Sequence, residues 1–388
     1  MKKISAVLLV LVLVGSVVFA GFTGSATTSL AYNLQTGVYG FTNAKALDID
    51  VVISETLGSK KGEGAIYAEI MASVKLMLDS VTIADGDVAP ADLDYTAAIT
   101  SAKIYGDGWW VNILGTAAPA NWATSAIEAD AGGVYATLAP QVPQNAAGVT
   151  VGLDTYTFSV GLTGDAVAGT YNVYGTAATS DMEIADGMKA KFAAAGSLTQ
   201  LAKSASVSAV VDYAAEDYSA KLAADAQFVG GAFDADVAIK SVFAPATVDV
   251  YFATKTTAGP SVGVLNLLSA KVALALDDVT LTVTGKDLIN AQDLSVSAKL
   301  VAEELAVTAR GGYKVSTAAW NVGADVVYTA ADYTATLNTT YASAGTLALT
   351  VKAESTKLVN NATLCVSYVT ADIMTNKGAI TTSAKIAF

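Results

Sequence analysis

Histidine is absent from this 388-residue chain, and the only cysteine is Cys365. Imidazole is the usual general base near neutral pH and the most common transition-metal ligand, so the usual hydrolytic triads and most metal centres are excluded. A single cysteine cannot form an internal disulfide bond, so the fold must be stabilised in another way. We therefore expect no enzyme, no cofactor and no structural metal.

Positive charge is also scarce. Lys and Arg together number 22 against 35 Asp and Glu, the formal net charge is −13, and Arg310 is the only arginine. A chain of this charge repels phosphate instead of releasing its counterions. Nucleic acid is therefore excluded as a partner.

Long apolar runs are missing although the chain is hydrophobic. The hydrophobic fraction is 53% and the mean hydropathy is +0.47, yet after residue 20 no stretch approaches the roughly 20 apolar residues that a membrane helix needs. Charged residues make up only 15% and there are 6 prolines, which disfavours intrinsic disorder. Dispersed apolar residues are typical of alternating β-strands.

The N-terminus has the three parts of a secretory signal peptide. Lys2 and Lys3 give a positive start, residues 4–18 form a short apolar run, and small residues precede a cleavage site between Ala20 and Gly21. We expect residues 1–20 to be removed during export, leaving 21–388 as the mature chain.

Period-two alternation of apolar and polar residues dominates the mature chain. It is clear over residues 65–79, and residues 205–388 contain 13 such segments, with seven to ten more before them. Short turn-like stretches separate the segments, which favours an antiparallel meander. Because membrane barrels usually close with an even number of strands, we predict an all-β fold: one antiparallel up-and-down transmembrane β-barrel of about 20–22 strands over residues 21–388.

The C-terminal segment places apolar residues on one face and ends on an aromatic ring. Ile380, Ala384, Ile386 and Phe388 share that face. This pattern resembles the last strand of bacterial outer-membrane β-barrel proteins. The resemblance implies that these four residues are a signal for the barrel-assembly machinery.

Signal peptide, dispersed hydropathy, meander and terminal Phe388 together make the mature chain similar to an outer-membrane porin. The Ala-, Val- and Thr-rich strands with one arginine most resemble the porin-type proteins of the toga, the sheath-like outer membrane of the Thermotogales. The resemblance implies passive diffusion of ions and small solutes, outer-membrane lipid as surroundings, and a homo-oligomer, often a trimer. Two alternatives remain open: a non-conducting structural barrel of the cell envelope, and a soluble β-rich surface-layer or adhesin protein.

Charged residues opposite the apolar stripes are candidates for lining a channel, because charge inside a barrel is hydrated. The acidic excess among them predicts a preference for cations. The candidates are Asp212, Asp225, Asp234, Asp236, Asp249, Asp325, Lys221, Lys240, Lys271 and Arg310.

Tyrosines recur beside the predicted turns. This position favours an aromatic girdle at the membrane interface, although favourable turn and strand chemistry explains it too. The candidates are Tyr213, Tyr218, Tyr328, Tyr333, Tyr341 and Tyr368.

Strand alternation is interrupted in residues 106–150, which contain three of the four tryptophans, and it is blurred over residues 181–201. Long irregular insertions are usually functional. Residues 106–150 are expected to be a constriction inside the barrel or an extracellular cap.

A second candidate is a group of acidic residues. Asp85, Asp87, Asp92 and Asp94 offer oxygen ligands for Ca²⁺, but without the spacing of a known calcium loop.

Overall fold

The computed structural model describes residues 22–41, 48–51, 57–58, 66–78, 83–84, 87–88, 93–115, 117, 119–125, 127, 148–165, 170–199, 203–256 and 262–387. Nearly all regular structure in these ranges is β-strand, and the one helical element is the 3-10 turn Val315–Thr317. None of the helical structure in these ranges is long and apolar enough to span a membrane.

Fourteen strands lie among the described residues of the first part of the chain. They are β1 (Phe22–Asn33), β2 (Tyr39–Phe41), β3 (Asp48–Val51), β4 (Leu57–Gly58), β5 (Tyr67–Leu78), β6 (Ile83–Ala84), β7 (Asp87–Val88), β8 (Leu93–Gly106), β9 (Trp109–Asn112), β10 (Gly148–Leu153), β11 (Tyr156–Asp165), β12 (Thr170–Thr179), β13 (Met182–Ala185) and β14 (Met188–Thr199).

Thirteen strands follow, the number predicted from the alternation. They are β15 (Lys203–Ala214), β16 (Tyr218–Val229), β17 (Ala232–Phe243), β18 (Ala246–Lys255), β19 (Val264–Leu276), β20 (Val279–Lys286), β21 (Asp293–Ala302), β22 (Leu305–Lys314), β23 (Ala319–Thr329), β24 (Thr334–Ala342), β25 (Leu347–Ser355), β26 (Ala362–Thr370) and β27 (Ala379–Ala387).

Twenty-five of the strands form one antiparallel sheet that closes on itself, and β6 and β7 pair only with each other. From β14 to β27 every strand pairs with the next along the chain. β1 pairs antiparallel with β27 from Ser25↔Ala387 to Asn33↔Ala379, its other edge pairs with β2 and β3, and β3 lies beside β5. Closure gives the backbone N–H and C=O groups at the edges of both terminal strands hydrogen-bond partners, which a membrane environment requires.

The 25 segments of this sheet occupy 22 positions around the ring. β2 and β3 lie on one edge of β1, and β4 continues the same position along β5. β12 and β13 likewise share one edge of β14. A ring in which every neighbouring pair is antiparallel must contain an even number of positions, so 22 is consistent with the antiparallel β1–β27 pair and lies within the predicted 20–22.

The two ends of the barrel differ in the length of their connections. At one end, which we call the short-turn end, two or three residues join β15 to β16, β17 to β18, β19 to β20 and β21 to β22. At the opposite end, which we call the long-loop end, six to eight residues join β18 to β19, β20 to β21 and β26 to β27. Short turns on one side and long loops on the other are typical of outer-membrane barrels.

The two faces of the wall differ in polarity. On β15, Val207 is 59% exposed, whereas its neighbour Ser208 is 5% exposed. Cross-strand partners lie on the same face of a sheet, so the register assigns an outward and an inward face to each strand of the ring. The outward face bears many exposed apolar side chains. Examples are Phe158, Val160, Leu162, Phe192, Leu222, Phe228, Leu281, Val283, Val296 and Val322. An apolar outer surface of this extent is stable only against lipid.

This polarity predicts opposite responses to a charge on the two faces. Val207→Arg, at mid-strand on the outward face, should reduce the free energy of unfolding by about 2–4 kcal/mol in a bilayer. Thr282→Arg, on the inward face of β20, should have a much smaller effect. Tryptophan fluorescence during guanidinium-induced unfolding in liposomes measures both changes, and equal costs would contradict the assigned faces.

Asp372 organises the loop between β26 and β27. Its carboxylate accepts hydrogen bonds from the Thr375 hydroxyl (2.7 Å) and from the backbone N–H groups of Leu347 (3.1 Å) and Met374 (3.2 Å). The Thr375 bond, followed by the Leu347 bond, lowers the pKa of Asp372 below its ordinary value.

A lowered pKa in the folded state gives a defined pH dependence. The stabilisation from Asp372 should be complete above the ordinary carboxyl pKa of about 4 and should be lost as the pH falls through the lower folded pKa. Asp372→Asn should therefore be less stable than the wild type at neutral pH, with the difference shrinking at acidic pH. Denaturant titrations of both proteins between neutral and acidic pH test this, and a pH-independent difference would contradict it.

Candidate functional site: the barrel interior

All ten predicted lining residues lie on the inward face. The registers place Asp225 beside Ser208, Asp236 beside Asp225, and Lys221 beside Asp212, and the same parity extends to Lys271, Arg310 and Asp325. Their position follows from the alternation that predicted them. Their role in lining a channel remains a prediction.

Residues 113–127, which we call the inner segment, leave the wall after the four-residue strand β9. The Thr150 hydroxyl donates to the carbonyl oxygen of Gly115 (3.1 Å), and the backbone N–H of Ala117 donates to Ser159 Oγ (2.9 Å). Both hydroxyl side chains are buried on the inward face of β10 and β11. The described part of the inner segment therefore lies against the inner wall.

The segment then binds β15 and β16. Ser208 Oγ donates to the carbonyl oxygen of Ala120 (3.2 Å), and Asp225 Oδ2 accepts from the backbone N–H groups of Trp122 (2.8 Å) and Ala123 (2.6 Å). Hydrogen bonds to a charged acceptor are stronger than neutral ones. Asp225 is therefore the main polar anchor of the segment.

Apolar contacts strengthen the same attachment. Ala123 is fully buried and packs with Val210 and Ala223 of the wall, and Trp122 packs against this cluster. The ammonium of Lys191 lies 4.8 Å from the centre of the Trp122 ring, within the range of a cation–π interaction.

A row of charged side chains crosses the inward face near the short-turn end. The row consists of Lys189, Asp212, Lys221, Lys240, Asp249 and Lys271, each beside the next on adjacent strands from β14 to β19. It contains four lysines and two aspartates. Only one close ion pair is found within it, between Lys221 and Asp212 at 3.9 Å, so most of these charges are not paired with each other.

A cavity of about 500 Å³ separates the charged row from the inner segment. Trp122, Ser125 and Tyr251 line it together with Lys240 and Asp249. The cavity therefore has aromatic rings on one side and charges of both signs on the other.

Arg310 forms its hydrogen bonds with neighbouring strands of the barrel wall. Its guanidinium binds Asp325 in a fork, with Nε to Oδ2 and Nη2 to Oδ1 both at 2.9 Å, and Nη1 donates to Thr340 Oγ1 at 3.0 Å. A Cβ on Gly323 would lie 2.4 Å from Arg310 Nη1, so the glycine provides the space for this fork. With four of its five N–H donors bonded to oxygens of the wall, Arg310 is poorly placed to select ions.

The predicted girdle tyrosines lie on the outward face at both ends of the barrel. Tyr213 contacts Tyr218 and Tyr328 contacts Tyr333 at the short-turn end, each with ring centroids 6.1 Å apart. Tyr341 lies 5.8 Å from Trp320 at the long-loop end, where the Tyr368 hydroxyl donates to the carbonyl of Lys377. This is the position that an interfacial girdle requires. The girdle itself remains a prediction.

Several predicted features lie outside the described residues or have only their backbone placed. Ile380 and Ala384 are on the outward face of β27 and Ile386 holds its register there, whereas Phe388, Ala20 and Gly21 lie outside the described residues. Asp85 and Asp92 of the suggested calcium loop also lie outside them. Within the described ranges there is no group of three or more acidic or cysteine side chains suited to a metal.

The expectation of irregular structure over residues 181–201 was wrong, because β13 and β14 form a hairpin there. As a result, sequence reasoning missed Lys189 and Lys191, which face inward on β14. Their spacing of two residues was the available signal. Tyr251 was also missed, since a tyrosine in a strand gives no signal that its hydroxyl binds Asp236.

The anchoring role of Asp225 is testable. Asp225→Ala removes the acceptor of two N–H groups, each bond being worth about 1.5–3 kcal/mol, so amide exchange at Trp122 and Ala123 should accelerate about tenfold or more. Hydrogen–deuterium exchange of the folded protein measures this. Asp278→Ala, in an exposed turn, is the control and should leave both amides unchanged; unchanged protection in Asp225→Ala would contradict the anchor.

No protein-family model matches this sequence, and no curated protein sequence matches it. Among solved structures, the siderophore receptor PirA from Pseudomonas aeruginosa aligns over 95% of this chain and 81% of its own, with 8% identity and a TM-score of 0.50. OccAB3 from Acinetobacter baumannii (95% and 98%, 8% identity, TM-score 0.37) and a BenF-like porin from Pseudomonas fluorescens Pf-5 (95% and 97%, 9% identity, TM-score 0.36) align less closely. The structural neighbours are bacterial outer-membrane β-barrel porins and transporters. At 8% identity the PirA alignment shows the fold alone, which is that of an outer-membrane β-barrel.

Proposed function

We propose that this protein is an outer-membrane porin, a passive channel for ions and small polar solutes. The observation that carries the proposal is a closed ring of 22 antiparallel positions with an apolar outward face and a polar inward face, on one side of which the inner segment lies. For strands 4.8 Å apart and tilted by about 40°, a round ring of this size is about 44 Å across between opposite backbones. The described part of the inner segment forms one layer of chain on one side and narrows such a ring.

The inner segment acts as the constriction in this proposal. Its attachment supports this role, since Asp225 and the hydroxyls of Thr150, Ser159 and Ser208 hold its backbone against the wall. The alternative of an extracellular cap would not need inward-facing partners halfway down the wall.

Ion preference differs between two levels of the interior in this proposal. The cation preference expected from the sequence is assigned to Asp225, Asp234 and Asp236, which lie farther from the short-turn end than the charged row. Asp225 and Asp236 are buried, however, and Asp234 is bonded to Thr254 and Thr256. The charged row, with its four lysines, opposes the preference, so we propose only a weak selectivity for cations.

Export and assembly complete the proposal. We infer export by the signal peptide, insertion through the C-terminal strand and a homo-oligomer, in keeping with the porins that the chain resembles. Support for oligomer packing comes from a shallow outward groove that is lined by Ala209, Ala224 and Ala226 together with Val207 and Phe192. Small residues of this kind allow close approach of neighbouring barrels.

Planar-bilayer recording of the purified, folded protein tests the proposal. Discrete single-channel steps are expected, with a reversal potential close to zero under a salt gradient. Asp225→Ala should conduct more because its inner segment is released, and Lys221→Gln/Lys240→Gln should shift the reversal potential toward cation preference by removing two positive charges from the charged row. A protein that inserts but never conducts would contradict the porin and favour the structural barrel.

A further inference from the structure

Two lysines of the charged row lie directly opposite each other. Lys221 on β16 and Lys240 on β17 are cross-strand partners on the inward face, an arrangement that is destabilising for like charges. Asp212 lies 3.9 Å from Lys221, at the limit of an ion pair. Among the described residues Lys240 forms no ion pair, although Asp249 is its cross-strand partner on β18. The wall therefore neutralises the two ammonium groups only in part.

Both lysines border open space. They line the cavity of about 500 Å³ between the charged row and the inner segment. They also line a second cavity, of about 470 Å³, on the side of the short-turn end. Half of the Lys221 side chain is exposed. The lysine pair thus lies between two spaces that a solute can occupy.

The first cavity has the size and the surfaces of a small-ligand site. Such sites usually enclose about 300–1,000 Å³ and combine aromatic surface with a few polar groups. Here the inner segment contributes the ring of Trp122 and the side chain of Ser125. Lys191, which lies over the Trp122 ring, is not part of the lining, so another part of the ring borders the cavity.

We propose that this cavity, which we call the lysine-pair site, binds a small hydroxylated monocarboxylate, the chemistry of a sugar acid. The charged residues in its lining are Lys221, Lys240 and Asp249, which leaves one positive charge for one carboxylate. Both ammonium groups can donate to that carboxylate in charge-assisted hydrogen bonds. Asp249 can only accept, so it requires hydroxyl donors on the same solute. The C–H groups of a sugar ring suit the negative face of Trp122.

The same set of groups selects against other solutes. A dianion such as phosphate exceeds the single positive charge of the lining and meets Asp249 as a like charge. A neutral sugar leaves the two lysines without a counter-charge. Acetate supplies the carboxylate but has no hydroxyl for Asp249 and no ring for Trp122. Carboxylate, hydroxyls and ring are therefore all needed on one molecule.

This inference rests on the proposed function, because an open barrel is the route by which a solute reaches the interior. Binding can nevertheless be measured without conduction. Titration calorimetry of the detergent-folded protein with glucuronate, glucose and acetate tests the three requirements separately. Glucuronate should bind saturably, and glucose and acetate should each bind at least about tenfold more weakly, since each lacks charge-assisted or hydroxyl contacts that glucuronate makes.

Single lysine variants locate the carboxylate. Lys221→Gln and Lys240→Gln should each weaken glucuronate binding about tenfold, because each removes one charged donor. Lys271→Gln is the matched control: it removes one positive charge from the same row, two strands from Lys240, and lines neither cavity. It should weaken binding by no more than about twofold, since charges at that distance are largely screened.

Tryptophan fluorescence locates the ring. Glucuronate should change the emission of the wild-type protein, and Trp122→Phe should lose most of this change while calorimetric binding persists, because Phe keeps an aromatic face. Equal binding of glucose and glucuronate, or equal losses in Lys240→Gln and Lys271→Gln, would overturn the lysine-pair site.

Bilayer recording separates this inference from the proposed function. In a conducting barrel, glucuronate should interrupt the current of the wild type, and it should do so less in Lys240→Gln. A protein that binds glucuronate but never conducts would overturn the porin and support the site. Normal channel steps without any binding of glucuronate would overturn the site and support the porin.

Discussion

The fold depends on one constraint: in lipid, every backbone N–H and C=O group must find its partner within the wall. The antiparallel pairing of β1 with β27 meets this constraint, since it joins the two strands that would otherwise leave open edges. Closure also requires an even number of positions and a regular reversal of direction. The tight turns at one end follow from this, because each antiparallel pair can be joined by two residues.

The same constraint extends to the interior. A segment that leaves the wall halfway down carries its own unpaired backbone groups, and the wall must supply partners for them. Small hydroxyl side chains do so without filling the interior: Thr150, Ser159 and Ser208 each bind one backbone group of the inner segment. Asp225 accepts two N–H groups at once, so one carboxylate does what would otherwise need two hydroxyl side chains.

Alternation made the fold predictable wherever the two faces differ in polarity. On β15 the outward residues Ala205 and Val207 contrast with Ser206 and Ser208, and the 13 strands from there onward were predicted correctly. On β14, by contrast, Ala193, Ala194 and Ala195 follow one another, and alanine fits either face. Period-two alternation is therefore lost over these three residues, although the backbone pairing of the strand is regular.

The interior was less predictable because it depends on contacts between residues far apart in sequence. Trp122 and Asp225 are separated by about one hundred residues, and no local pattern connects them. The pairing of Asp225 with Asp236, by contrast, could have been predicted from the sequence. Gly230 and Gly231 both have positive φ and form a two-residue turn, so residues equally distant from that turn must be cross-strand partners.

Burial changes what the charge of the sequence means for permeation. The formal charge of −13 suggests an acidic interior, but Asp225 and Asp236 lie beneath the inner segment and Asp325 is bound to Arg310. In the proposed channel, carboxylates beneath the inner segment do not contact a passing ion directly. The lysine-rich charged row near the short-turn end is more exposed, so we expect the sign of the charge that an ion meets to change along the channel axis. Under this proposal, selectivity depends on which charges the inner segment covers, and less on how many the chain contains.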